Sequence, residues 1–192
     1  MQGILRTDRL LLEPATIVDA SCLIAINEPT TPERITQFVE NQLSCWQEYS
    51  YGLWLIVLPT TKTLAGWCGL RPSDSPNEPE LLFGLAASER KRGFAAEAVR
   101  AVLAYAFSLP MIQSVWAATS ANNLASAAVM ERAGMLYETQ MELDGGLSVL
   151  YRTPSPPASS SQVNNGKLSI THLAPTQPNT EASMLRYLRR RV

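Results

Sequence analysis

Six consecutive residues, Arg90-Lys91-Arg92-Gly93-Phe94-Ala95, place three cations, a glycine and a small residue where a strand-like run meets a helix-like one. A helix N-terminus offers amides without intrahelical acceptors and the positive end of the helix dipole, and both suit phosphate oxygens. Gly93 would let the backbone approach a ligand closely, and Ala95 keeps the first turn free of bulk. The cations can add charge-assisted contacts. The same residues also read as an ordinary basic turn before a helix, and residue types alone do not separate the two. Neither G-x-x-x-x-G-K-S/T nor G-x-G-x-x-G occurs, which excludes a Walker-type phosphate loop and argues against a dinucleotide Rossmann unit.

Downstream, Asn123 and Ser126 are spaced to share one face of a helix, with Met130 a further turn along. A hydroxyl and an amide there can serve a reaction, or they can simply cap the helix. The single histidine, His172, lies in a polar tail, which removes most Ser-His-Asp, Cys-His and poly-His metal chemistries. Cys22, Cys45 and Cys68 have no C-x-x-C spacing, so neither a metal cluster nor a disulfide framework is expected and the reducing cytoplasm is the default compartment. The chemistry must then come from carboxylates, hydroxyls, backbone groups or a cofactor.

The elements that would position these groups alternate along the chain. Arg6–Leu12 reads as a strand and Ile17–Ile26 as a helix. Thr30 and Glu33 make a capping box with Pro32 in the first turn, opening a helix whose apolar face is Ile35, Phe38, Val39, Leu43 and Trp46. Leu53–Leu58 and Leu64–Leu70 form a hairpin around Pro59-Thr60-Thr61-Lys62, and Trp54 and Trp67 read as packing residues within it. Glu80–Ala87 is a third β run, followed by a helix from Gly93 to about Leu109, ended by Pro110. Gln113–Thr119 is a strand, Asn123–Ala133 a helix closed by Gly134, and Met135–Met141 with Leu147–Arg152 a last hairpin.

The 192-residue chain is 46% hydrophobic and 17% charged, enough to close one core, and its net charge of -1 gives no bulk attraction to nucleic acid or anionic lipid. No apolar run is long enough to span a bilayer. The composition changes near residue 152. Residues 153–192 are rich in Pro, Ser, Asn and Thr, carry a net +4 against -5 for residues 1–152, and read as a largely disordered tail with a short basic end.

The phosphate-like loop is part of a longer pattern. Arg90-x-x-Gly93-x-Ala95 resembles the Q/R-x-x-G-x-G/A acetyl-CoA signature of the GNAT N-acetyltransferases. Thr7-Asp8-Arg9-Leu10-Leu11-Leu12-Glu13-Pro14 resembles that family's T-D/E-R-L-x-L-x-P opening, and Ala65-Gly66-Trp67-Cys68-Gly69-Leu70 its hairpin strand. Gly93-Phe94-Ala95-Ala96-Glu97-Ala98 is similar to the G-Y/F-A-T-E-A of the RimJ/RimL-like branch, which acetylates ribosomal-protein N-termini. Asn123-x-x-Ser126 with Val129-Met130-Glu131-Arg132-Ala133-Gly134-Met135 resembles its N-x-x-S-x-x-V-x-E-K-x-G-F. The likeness spans roughly residues 5–152, in one order, and defines a domain over 1–152.

The resemblance implies an α+β GNAT fold: a mixed, mostly antiparallel sheet of six to seven strands flanked by about four helices. One strand pair is splayed to take acetyl-CoA as co-substrate. It implies that Leu85 and Ala87 meet the pantetheine arm through their backbone. The amides of Arg90, Lys91, Arg92, Gly93, Phe94 and Ala95 take the diphosphate, and Asn123 orients cofactor or water. Many relatives carry Tyr where this chain has Met130, which cannot donate a proton, so Ser126 becomes the candidate acid or thiolate stabiliser. A neutral amine needs a proton acceptor, and Glu80 stands where the family often places one, with Glu138 as a second candidate. Glu97 is read as favouring the helix dipole. Only Asn27-Glu28-Pro29 separate the first two helices, which implies a more open acceptor side. The expected activity is acetyl transfer from acetyl-CoA to a primary amine, on a protein N-terminus or a small molecule, by direct transfer without a metal. No nucleic-acid or membrane partner is expected, and a homodimer stays open. The alternative is an acyl-CoA-binding regulatory module with weak turnover.

Overall fold

The computed structural model describes residues 3–16, 32–143, 146–154 and 169–170. Within these, the strands are β1 (Leu5–Arg6), β2 (Leu11–Pro14), β3 (Leu53–Leu58), β4 (Thr63–Arg71), β5 (Glu80–Leu85), β6 (Ser114–Ser120), β7 (Leu136–Leu143), β8 (Gly146–Pro154) and β9 (Ser169–Ile170). The helices are α1 (Pro32–Tyr49), α2 (Phe94–Ala106) and α3 (Leu124–Ala133), with a 3-10 turn at Ala87–Glu89. All strands join one sheet in the order β7-β8-β6-β5-β4-β3-β2-β1-β9. Every pairing is antiparallel except β5 with β6. The α+β class and the mixed, mostly antiparallel sheet agree with the sequence reading.

The sheet has nine strands rather than six or seven, for two reasons. The opening run is not one strand over Arg6–Leu12. Thr7 N–H donates to the Leu10 carbonyl at 3.0 Å while the Thr7 hydroxyl accepts from Leu10 N–H at 3.0 Å, and this double bond turns the chain back on itself. The second addition is β9, a two-residue strand within the segment read as a tail, which pairs with β1. Thr153 and Pro154, the first residues of that segment, instead continue β8 beside β6, and its remaining residues lie outside the described residues. So do the expected helix Ile17–Ile26, the short Asn27–Pro29 link and the Thr30 cap.

Other boundaries moved by a few residues. The helix expected to reach Leu109 stops at Ala106, where Ser108 and Leu109 N–H bond to Tyr105 and Ala106 carbonyls at 3.0 Å each and the Ser108 hydroxyl takes the Tyr105 carbonyl at 2.6 Å. These tighter bonds and the restriction that Pro110 places on Leu109 end the α-helical ladder. The third β run stops at Leu85 rather than Ala87, because Ala86 makes the last ladder-like bond, to Ala65, and the chain then winds into the 3-10 turn.

Strand register sorts the two faces of the sheet. Leu70, Leu81, Val115, Ala117 and Tyr151 lie on the face covered by α2 and α3 and belong to the main core, with Val99, Val102 and Met130 from those helices. On the other face Leu53, Leu55, Val57 and Trp67 pack with Phe38 and Leu43 of α1. Trp54 is fully buried, donates its indole N–H to the Gly3 carbonyl at 2.7 Å, and sits edge-on to Trp46 and Tyr105. Its packing role is as read from the sequence.

Candidate active site

The parallel pair β5–β6 touches at one point. Glu80 is in register with Trp116, Trp116 N–H donates to the Pro79 carbonyl at 3.2 Å, and Gln113 N–H donates to the Asn77 carbonyl at 2.9 Å. Beyond Glu80 no ladder continues, although β5 runs on to Leu85 and β6 to Ser120. The sheet therefore parts into a V with its vertex at Glu80 and Trp116. Bonding alternates along β5: Ala86 N–H goes to β4 and the Pro79 carbonyl to β6, so the backbone groups of Leu81, Phe83 and Leu85 are directed into the gap. That gap edge runs about 16 Å at the ordinary rise of a strand.

Each arm of the V ends in a helix N-terminus, an arrangement suited to ligands at the carboxyl ends of parallel strands. After β5 the chain passes through Arg90–Gly93 into α2. Lys91 (φ 63°) and Gly93 (φ 80°) both adopt left-handed backbone, and the helix receives no side-chain cap. Glu97 N–H is the first to be taken intrahelically, by the Gly93 carbonyl at 3.2 Å. Among the described residues no side chain accepts from the amides of Gly93, Phe94, Ala95 or Ala96. Among the described residues these N-terminal amides of α2 are thus uncapped.

The three cations have different employment. Arg92 is 2.5 Å from Glu89 and lies over the Phe94 ring at 4.6 Å, so its charge is largely spent. Arg90 donates Nε to the Leu85 carbonyl at 3.2 Å, tying the loop to the end of β5. Lys91, exposed and in left-handed backbone, makes no ion pair among the described residues. Leu85 is half-buried at the end of β5 and Ala87 is exposed in the 3-10 turn.

After β6 the chain enters α3, which Asn123 caps by accepting from Ser126 N–H at 3.1 Å. The capping role of Asn123 is therefore real, and among the described residues its side-chain N–H2 makes no hydrogen bond. Ser126 is half-buried in the first turn, while Met130 is 1% exposed and part of the core. The nearby phenol of Tyr151 donates to Glu131 at 2.8 Å; burial and that carboxylate raise its pKa, so it stays neutral and occupied.

Glu80 stands at the vertex on the face opposite α2 and α3, buried, with one carboxylate oxygen held by Arg71 Nε at 2.7 Å and Nη2 at 2.6 Å. Register continues this row laterally: Arg71, Glu80, Trp116 and Arg152 stand side by side. Glu138 has no register partner, since pairing shifts between Tyr137 and Thr139, and this irregularity aims its carboxylate at Arg152 Nε, 2.7 Å away. Arg152 also bonds the Ser114 hydroxyl at 2.9 Å and reaches Glu78 at 3.4 Å. Ser114 in turn donates to Glu78 at 3.0 Å, and the Trp116 indole donates to the Glu78 carbonyl at 3.0 Å. This web fastens the segment before β5 onto β6 and fixes where the V begins. Further up the same face Trp67 lies over Gly84, where a Cβ would stand 2.9 Å from its ring, with Phe38 edge-on to it at 5.7 Å. The structure thus places Glu80 at the closed end of the gap and Ser126 at the open end; no bond among the described residues joins them.

Sequence reasoning missed Arg71, Arg152, Glu78 and Ser114 altogether, and saw Thr7 and Arg9 only as parts of a motif. Their partners are remote in the chain, so no local signal marks them. Glu97, read only as a dipole partner, accepts from the Thr7 hydroxyl at 2.6 Å, from Arg9 N–H at 3.1 Å and from Arg9 Nε at 2.7 Å. Burial pushes its pKa up, but these bonds and the Arg9 charge outweigh burial and hold it below the usual carboxylate range. A lowered folded-state pKa stabilises the protein above the unfolded value of about 4.3, and that contribution fades as pH falls through the lower, folded one. The stability gap between wild type and Glu97→Gln in urea titrations is therefore expected to be constant above about pH 5 and to shrink in stronger acid.

The two described cysteines, Cys45 and Cys68, are buried free thiols. Burial, followed by the Glu48 charge, pushes the Cys45 thiol up to about 12, and burial raises Cys68 further still. Cys68 is fully buried. Cys68→Ala is expected to keep kcat within about threefold, with no acyl adduct on either protein by intact mass.

A model of the "Acetyltransferase (GNAT) domain" family matches residues 9–136, two-thirds of the chain. The chain belongs to the GNAT acetyltransferase-domain family. Solved structures agree. A GnaT-family acetyltransferase from Bordetella pertussis is 25% identical, with a TM-score of 0.70 over 78% of this chain and 98% of its own. An acetyltransferase from Agrobacterium tumefaciens is 26% identical, with a TM-score of 0.67 over 78% and 93%. The fold is also that of RimL, a ribosomal-protein alpha-N-acetyltransferase solved in complex with coenzyme A, at 17% identity, a TM-score of 0.66 and coverage of 79% and 97%. At that identity the likeness to RimL is one of fold. No curated protein matches the sequence. Among the described residues of this GNAT protein no helix is long and apolar enough to cross a membrane, and no cluster of His, Cys, Asp or Glu could hold a metal.

Proposed function

We propose that this GNAT protein is a cytoplasmic N-acetyltransferase that moves an acetyl group from acetyl-CoA to a primary amine by direct transfer. The observation that carries the reading is the open amide face at Gly93–Ala96 beside a strand pair that parts beyond Glu80. The residues fit the co-substrate. A diphosphate meets the α2 amides, Lys91 and the free face of Arg90, and the pantetheine arm meets the gap-directed backbone of Phe83 and Leu85. Acetyl-CoA supplies the activated acyl group; the protein supplies alignment of amine and thioester, which is worth several orders of magnitude in rate.

Glu80, at the vertex and on the face away from the cofactor helices, is the proton acceptor, directly or through one water, with Glu138 as the second candidate. Ser126 donates a hydrogen bond toward the departing sulfur, a task Met130 cannot perform. Asn123 orients cofactor or water. Arg71 and Arg152 flank Glu80, but both are paired with carboxylates (Glu80, Glu78 and Glu138), so the charge of this face leaves a protein N-terminus, a small-molecule amine and an aminoglycoside all as acceptors to test.

The buried Met130 and the Arg71-paired Glu80 favour one other reading, an acyl-CoA-binding module with little turnover. Thiol release measured over a panel of monoamines and Ser-starting peptides separates the two. The transferase predicts turnover on at least one amine, and CoA binding with no turnover on any of them selects the module. In the transferase, Ser126→Ala is expected to lower kcat about tenfold, the worth of one hydrogen bond to a developing charge, with the KM for acetyl-CoA little changed.

A further inference from the structure

The turn between β1 and β2 is pinned across the first turn of α2. Four donors converge on Glu97: the Thr7 hydroxyl, Arg9 N–H, Arg9 Nε, and Arg9 Nη2 at 2.5 Å. The remaining arm of the same guanidinium, Nη1, donates to the Arg92 carbonyl at 3.0 Å, inside the phosphate-facing loop. Its plane lies over the Phe94 ring at 4.8 Å, and Arg92 lies over the same ring. A Cβ at Gly93 would stand 3.4 Å from Arg9 Nη2. One side chain, far off in sequence, therefore touches both the loop and the only carboxylate in the first turn of α2.

That carboxylate is a hazard for the site. An unpaired Glu97 beside the helix N-terminus would favour the dipole and repel any dianion seated on the same amides. Bonded to Arg9 and Thr7 it is neutralised and turned toward the N-terminal hairpin. We infer that Arg9 is a positioning residue for the diphosphate site: it silences Glu97 and holds the Arg92 carbonyl so that the α2 amides stay open to the anion. The role rests on the reading of the loop as the CoA diphosphate site.

The mechanism gives a sign that a purely structural clamp would not. Removing Arg9 exposes the carboxylate and weakens CoA binding, whereas removing the carboxylate as well restores it. By calorimetric titration with CoA, Arg9→Ala is expected to bind about tenfold more weakly than wild type. Arg9→Ala/Glu97→Gln should recover to within about threefold, and Glu97→Gln alone should bind at least as tightly as wild type. In kinetics the Arg9→Ala effect appears in the KM for acetyl-CoA rather than in kcat. Circular dichroism checks that each variant is folded; if Arg9→Ala is not, Arg9→Lys, which keeps the charge and loses the fork, is read instead and should fall between wild type and the tenfold loss. Equal affinity for Arg9→Ala and wild type overturns the inference, as does a double variant no tighter than Arg9→Ala or a Glu97→Gln weaker than wild type. Failure of the wild type itself to bind CoA overturns the cofactor reading, and this inference with it.

Discussion

Replacing Glu80 with glutamine is expected to lower kcat by a factor of about a hundred to a thousand while leaving CoA affinity within about twofold. The substitution keeps the shape of the side chain and its bond to Arg71, so the V between β5 and β6 stays anchored at Trp116. In the proposed mechanism what is lost is the proton acceptor for the attacking amine. The Arg71 pairing does not disqualify Glu80. Both donated bonds fall on the same oxygen, which leaves the other carboxylate oxygen for the amine or a water. A loss below about threefold would move the role of base to Glu138 or to water.

Gly93→Val should abolish CoA binding in practice, by at least about thirtyfold. Gly93 has φ 80° and a β-branched residue there costs roughly 1–2 kcal/mol of backbone strain, which the loop can relieve only by rotating its amides away from the ligand. The branched side chain also crowds Arg9 Nη2, which would lie 3.4 Å from its Cβ. Gly93→Asn separates the causes, since Asn tolerates left-handed backbone and should lose only a few-fold. Titration with CoA and with inorganic pyrophosphate measures both. If Gly93→Val binds CoA as wild type does, the amides of this loop are not the anion site.

The Arg90–Ala95 loop was legible because its chemistry is local. Glycine before a helix, small residues in its first turn and cations beside it state the geometry within six residues. Asn123 as a cap and Gly134 in left-handed backbone closing α3 belong to the same kind of signal. Glu80 could be picked out only through the family pattern, and its partner Arg71 could not be picked out at all. The two meet through the register of β4 with β5, which no run of residues states. The opening run was misread as one strand because the apolar Leu10-Leu11-Leu12 follows directly on its charged start. The turn is made by the Thr7 hydroxyl, a side-chain bond that competes with the ladder.

The family pattern, the alternation of elements and the glycine-led turn into α2 were all legible in the chain itself, since each depends on residues close enough along it to fix one another's backbone. Tertiary structure alone decided that β5 and β6 part after Glu80, that Arg152 gathers Glu78, Glu138 and Ser114 to pin that vertex, and that Arg9 neutralises Glu97 from 88 residues away. Such contacts arise only when strands distant in the chain lie side by side, and their energy comes from charges and hydrogen bonds drawn together by the packing of a core that many other sequences could build.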